Sequence, residues 1–270
     1  MCGHNAYWCF YENGELYVYG NGEVSEMAWS NYRGNIESVV IDEGITSIAN
    51  TLFHGCSALK SVSLPDTLTT IDGYIFISCN SLKTLELPAS IETIGGWIFQ
   101  GMNLDSLYFK GTISEWLEIA FGADIGSSIN YFLECVGKFY ISGELVENLV
   151  IPDGITSIPE SAFEGYDGLK SVVIPASVTT IGRQAFSCSS LVYAEFLGDA
   201  PIVATSAFYG GDSFTIYYHE NTSGWSSPLW DVYYAACVEE FSDYSVLDED
   251  NRNSQGILFT LNESAKTAVV

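Results

Sequence analysis

Cys56-Ser57-Ala58-Leu59-Lys60-Ser61-Val62-Ser63-Leu64-Pro65 sets the fold, because 23 residues later the chain repeats it as Cys79-Asn80-Ser81-Leu82-Lys83-Thr84-Leu85-Glu86-Leu87-Pro88. The same spacing relates Ile41, Leu64 and Leu87, then Ile48, Ile71 and Ile94, then Phe53, Phe76 and Phe99. A fourth unit, one residue shorter, carries Leu104, Leu107 and Phe109. Within each unit Leu-x-x-Val-x-Leu-Pro reads as one short strand. Strand side chains alternate, so Leu59, Val62 and Leu64 face a core while Ser61 and Ser63 face away. The following Pro ends ladder pairing. One coil cannot bury both of its apolar sets. Stacked coils can, with parallel strands about 4.8 Å apart.

A second array follows. Ile151-Pro152 matches Ile174-Pro175, Ile158 matches Ile181, Phe163 matches Phe186, and Leu169 matches Leu191 with one residue lost. A less regular coil carries Phe196 and Phe208. A 23-residue period lies in the leucine-rich-repeat range. The pattern from Gly44 to Pro65, Gly-Ile-Thr-Ser-Ile-x4-Phe-x-Gly-Cys-Ser-x-Leu-Lys-Ser-Val-x-Leu-Pro, resembles the BspA-like, or treponemal-type, leucine-rich repeat, and Ile155 to Phe163 repeats its first half. The resemblance covers roughly 35–110 and 147–218. Gly111 to Trp116, Gly198 to Pro201, Ile216 to Tyr218 and Gly224-Trp225 resemble pieces that accompany this family. It implies surface proteins of bacteria or protozoa that bind other proteins or mediate adhesion, with repeats that are not enzymatic.

The expected fold is a β-rich, right-handed leucine-rich-repeat solenoid with a parallel sheet on its concave face, irregular convex turns and an N-terminal β-hairpin cap. Five stretches are expected. Residues 1–34 form the cap, a hairpin turning at Asn13-Gly14, with Trp8 and Trp29 covering apolar edges. Residues 35–110 form the first array. Residues 111–146 form an insert or spacer, with one helix over Ile113 to Phe121 and strand over Leu133 to Ile141. Residues 147–238 form the second array and a terminal coil. Residues 239–270 form an acidic linker and the start of a further module, with two short strands around Asn262-Glu263. The linker holds Glu239, Glu240, Asp243, Asp248, Glu249 and Asp250 without a base.

The chain has 270 residues, a net charge of −25 and 47% hydrophobic residues. This is too apolar for disorder. The charge argues against nucleic acid or an anionic membrane as the main partner. No apolar run is long enough to span a membrane, and no signal peptide is visible. The chain is read as a monomeric module of a longer extracellular or cell-surface protein.

Catalytic patterns do not emerge. His4, His54 and His219 sit in no nucleophile or metal motif. His54 near Cys56 reads as a convex turn residue. Asp248-x-Asp250 lacks the Gly and closing Glu of a calcium loop. Gly95-Gly96 reads as a repeat turn needing close backbone approach. No cofactor or metal is expected. Of seven cysteines, Cys56, Cys79 and Cys188 share one repeat position and read as reduced, packed residues, whereas Cys2 and Cys9 could pair across the cap. Lys60, Lys83 and Lys170 recur beside the strand and are expected to balance nearby acids. Trp97 and Trp116 are expected to cover core or edges.

The remaining surface is the outward row of the repeat strands. It carries Ser38 and Val40, Ser61 and Ser63, Thr84 and Glu86, Ser106 and Tyr108, then Asn148 and Val150, Ser171 and Val173, Tyr193 and Glu195. Ser61, Ser63, Thr84, Glu86, Ser106, Tyr108, Ser171, Tyr193 and Glu195 are the candidate binding residues, with Tyr108 and Tyr193 as anchors. The expected function is a non-catalytic, adhesion-type module recognising a protein or glycan through this strip. The alternative is a rigid spacer in a larger surface protein.

Overall fold

The computed structural model describes residues 1–122, 133–211, 214–227, 229–230, 232–238, 260–262 and 267–269. The sequence period is the physical rung. Ser38 pairs with Ser61, Val39 with Val62 and Val40 with Ser63 between the parallel strands Ser38–Ile41 and Ser61–Ser63. The Thr-Ile stretch of each coil makes a second ladder, aligning Ile48, Ile71 and Ile94. The second array repeats the plan with Asn148–Val150, Ser171–Ile174, Tyr193–Phe196, Thr215–His219 and Tyr233–Val238, all parallel. The chain is a parallel β-solenoid with almost no helix.

Inside, one aromatic ring per coil stacks on the next. Trp29, Phe53, Phe76 and Phe99 lie 5.6, 5.7 and 6.2 Å apart. Phe163, Phe186 and Phe208 lie 5.5 and 5.3 Å apart. Trp116 sits at the head of the second column, between Phe109 of the first array and Phe163 of the second. It is wholly buried, its ring meets Phe109, Phe139 and Phe163, and its indole N–H donates to the Ala162 carbonyl at 3.0 Å. A second tie is the Phe139 N–H, which donates to the Tyr166 hydroxyl at 3.1 Å.

Two residues before each phenylalanine of the columns the backbone turns left-handed. The φ values are 63° at Thr51, 60° at Tyr74, 60° at Trp97, 61° at Ser161, 57° at Gln184 and 56° at Ser206. Each costs roughly 1–2 kcal/mol for a non-glycine residue. Backbone bonds between coils offset it, such as Tyr74 N–H to the Gly96 carbonyl at 3.1 Å and Phe163 N–H to the Ala185 carbonyl at 2.9 Å. The residue types at this position share nothing, so no motif marks it. Close approach does require glycine nearby: a Cβ on Gly95 would stand 2.3 Å from the Gly73 nitrogen.

The hairpin forms between Asn5–Phe10 and Glu15–Val24, with Gly14 at φ 84°. It does more than cap. Glu15 to Val18 pair in parallel with Ser38 to Ile41, and Gly22 to Val24 pair with Ile45 to Ile48. One long strand thus supplies the first rung of both ladders. Trp29 is buried on Phe53 as expected, and Trp8 meets Trp29 edge-on at 6.3 Å.

The stretch Ile113 to Phe121, expected as one helix, is helical only over Ile113–Trp116. Thr112 and Glu115 close a capping box, and a turn later Ala120–Phe121 joins the second ladder beside Thr93–Ile94. One helical turn has little cooperativity, and the ladder captures the residues after it. Val136–Ile141 pairs in parallel with Leu104–Phe109, so the stack runs on through the expected insert. The second ladder is continuous from Glu15–Val24 to Ala120–Phe121. The concave ladder, expected to be continuous, breaks between Ser61–Ser63 and Thr84–Leu87, and again after Val136–Ile141. Antiparallel strands close three of its edges: Asn5–Phe10, Glu144–Leu145 and Leu229–Trp230.

Near the C-terminus Thr260–Asn262 and Thr267–Val269 pair antiparallel, within the stretch expected to hold two strands. The acidic stretch 239–250, with Asp248 and Asp250, lies outside the described residues.

Candidate functional site

The concave strip is made by strand alternation. In Thr84–Leu87 the pattern is exposed, buried, exposed, buried, so Leu85 and Leu87 pack inward and Thr84 and Glu86 stand out. Ser61 and Ser63 are exposed. Ser106 and Tyr108 are half-exposed, and Asn148 and Val150 are exposed. Tyr108 does not stand alone: its ring stacks on Tyr140, its register partner, at 4.8 Å and 11°. The Glu86 carboxylate, one rung before Tyr108, holds the Lys110 ammonium at 2.9 Å. That bond keeps the Lys110 ammonium above the ordinary lysine range.

The second array departs from the expected exposure. Ser171 is buried, only 4% exposed, and its hydroxyl donates to the Asn148 side-chain oxygen at 2.9 Å. It lies in register between Asn148 and Tyr193, whose larger side chains cover it. Glu195 is also mostly covered. Its side chain is 12% exposed and meets His219 Nε2 at 3.0 Å. Tyr193 is half-buried and meets Tyr217 edge-on at 5.8 Å. Burial pushes the Tyr217 hydroxyl above the usual tyrosine range. Neither Ser171 nor Glu195 presents the open side chain expected of it.

Other strip residues escape the sequence reading. Tyr7, Tyr17 and Tyr19 stack at the N-terminal end, with Tyr19 5.7 Å from Tyr7 and 5.6 Å from Tyr17. The Tyr17 hydroxyl donates to Asp42 at 2.7 Å, a bond that raises its pKa. Tyr140, Tyr217 and His219 complete the set. Alternation within Glu15–Val24 and Val136–Ile141 is the signal that could have found Tyr17, Tyr19 and Tyr140.

The remaining candidates settle into structural roles. His54 is exposed on a turn. Cys2, Cys9, Cys56, Cys79, Cys135 and Cys188 form no disulfide, so Cys2 and Cys9 do not pair across the cap. Burial pushes the Cys56 thiol up to about 11 and Cys79 to about 12, and raises Cys188 further, so all three stay protonated and poorly nucleophilic. Cys79 donates to the Phe53 carbonyl at 3.0 Å, and Cys188 does the same to Phe163 at 3.0 Å. Lys60 pairs with Glu37 at 2.6 Å, but Lys83 and Lys170 turn to backbone carbonyls of Asn103 and Asp167 rather than to acids. Trp97 is half-buried and Trp116 buried. The strip therefore offers tyrosine rings, hydroxyls and a few paired charges, a surface suited to recognition by stacking and hydrogen bonding.

Comparison with known proteins places this architecture. The chain resembles the crystal structure of a leucine-rich repeat protein from T. pallidum, at 19% identity and TM-score 0.40, over 62% of this chain and 78% of that one. A leucine-rich repeat protein from Bacteroides ovatus is similar at 17% identity and TM-score 0.43, over 81% and 70%. A leucine rich cell surface protein from Faecalibacterium prausnitzii is similar at 17% identity and TM-score 0.30, over 82% and 88%. No curated protein matches the chain. No helix among the described residues is long and apolar enough to cross a membrane. The BspA type leucine rich repeat region matches in six copies over residues 23–135 and 134–224, and the chain belongs to that family.

Proposed function

We propose that the chain is a non-catalytic recognition module of a surface or secreted protein, binding a protein or glycan ligand through its concave strip in an adhesion role. One observation carries this reading: tyrosines gather on the outward row at three places, around Tyr19, Tyr108 and Tyr217. Tyrosine supplies large, amphipathic contact area and is enriched at binding hot spots. Ser61, Ser63 and Thr84 lie on the strands between the Tyr19 and Tyr108 groups, and Ser106 on the Tyr108 strand, as small hydroxyls that leave a partner's backbone or sugar room to approach. Glu86 and Lys110 supply a charged pair beside Tyr108.

The test is biolayer interferometry of the purified chain on immobilised extracellular-matrix proteins and glycans, beside a Tyr108→Ala/Tyr140→Ala variant. The expected result is saturable binding weakened at least tenfold in the variant, as truncating a hot spot gives. Absence of saturable binding by the native chain would favour a rigid spacer instead.

A further inference from the structure

The convex side of the second array holds a cavity of about 400 Å³, remote in role from the concave strip. We propose that it is a second binding site, for a neutral hexose unit of a glycan. Three successive convex turns build it, one from each of three stacked coils. The first gives Gly165 and Asp167, the second Gln184, Ser187 and Ser189, the third Tyr209. Glu134, from the coil before, closes one wall.

The backbone holds these groups in place. Ser187 pairs in register with Tyr209 between the strands Phe186–Ser187 and Phe208–Tyr209. Asp167 Oδ1 accepts from the Ser189 N–H at 3.2 Å and from the Ser189 hydroxyl, so its carboxylate is pinned. Gly165 sits at φ 79°, and a Cβ there would stand 3.0 Å from the Glu134 nitrogen, so glycine lets the Glu134 wall close in. A site fixed in advance loses little freedom on binding.

The chemistry selects the ligand. A hexose presents a ring of hydroxyls, each both donor and acceptor, and one face of C–H bonds. Carboxylates, a carboxamide and serine hydroxyls offer acceptors and donors to the former. The Tyr209 ring, 65% exposed, offers the latter an apolar platform beside polar groups. Two carboxylates in the lining and a net charge of −25 disfavour an anionic sugar. Among the described residues no three His, Cys, Asp or Glu side chains converge as a metal site, so the acids are not explained by a bound cation.

The test is saturation-transfer NMR and calorimetry of the full chain with glucose, galactose, mannose, their short oligosaccharides and sialic acid. Tyr209→Ala, Asp167→Asn and the control His54→Ala, an exposed turn residue outside both proposed sites, are measured beside it, with circular dichroism to check folding. Tyr209 is exposed, so its truncation leaves the core intact. We expect saturable binding of at least one neutral sugar, weakened tenfold or more by Tyr209→Ala and by Asp167→Asn, and unchanged by His54→Ala. No saturable neutral-sugar binding, a preference for sialic acid, or binding indifferent to Tyr209→Ala would overturn the proposal.

Discussion

Ser61 and Ser171 hold equivalent repeat positions and live in different environments. Ser61 is exposed next to Ser38, whereas Ser171 is buried between Asn148 and Tyr193 and donates a hydrogen bond. Glu86 and Glu195 diverge in the same way. Glu86 pairs with Lys110 in the open, at 56% side-chain exposure, while Glu195 meets His219 at 12%. In a solenoid the repeat dictates which way a side chain points. The side chains one rung to either side dictate whether it reaches solvent. The first array therefore offers an open strip and the second a partly filled one.

The joint between the arrays gives the largest test. Trp116→Ala removes a buried indole, its bond to Ala162 and contacts on both sides. It should cost about 3–5 kcal/mol and split denaturant unfolding into two transitions, because each repeat contacts only its neighbours. Leu82→Ala, inside one array, should cost about 2–5 kcal/mol without splitting the transition. A single cooperative transition in Trp116→Ala would show that the arrays are joined elsewhere.

Lysine scanning sharpens the surface comparison. Ser171→Lys forces a charge into a covered site and should cost on the order of 3 kcal/mol. Ser61→Lys should stay within about 0.5 kcal/mol. Equal losses in urea titrations would mean that the two positions share one environment after all.

The buried thiols predict alkaline loss of stability. An unfolded thiol ionises near 9.0, whereas folding holds Cys56 at about 11 and Cys79 at about 12. These raised values stabilise the fold fully below pH 9, and the contribution disappears as pH climbs from 9 through 12. Thermal unfolding at pH 8, 9.5 and 11 should show a falling Tm, with a shallower fall in Cys56→Ala/Cys79→Ala. The smallest effect is at the left-handed turns. Thr51→Asn and Ser206→Asn place a residue that tolerates this backbone at φ 63° and 56°, and each should gain about 0.5 kcal/mol in either array.

The ladder, its register and the ring column were legible in the sequence because each rung repeats chemistry at fixed spacing. Phe53, Phe76 and Phe99 announce the column directly. Trp116 could be read as a cover but not as the joint, since its partner Ala162 is 46 residues away. Ile113 to Phe121 is amphipathic in either state, so its pattern predicts a longer helix than forms, and only the ladder decides. The strip was half legible. Tyr108 and Glu86 followed from strand phase, but the burial of Ser171 and the Glu195–His219 contact depend on neighbours from other coils. Tyr140 and Tyr19 were hidden because their strands lie outside the regular repeat.

The most direct test of the recognition strip is hydroxyl-radical footprinting of the tyrosines, with and without a captured ligand. The account predicts protection of Tyr108 and Tyr140, with Tyr19 or Tyr217 joining them if the contact extends, and unchanged reactivity at Tyr32. Bound ligand that leaves Tyr108 and Tyr140 as reactive as in the free chain would contradict it.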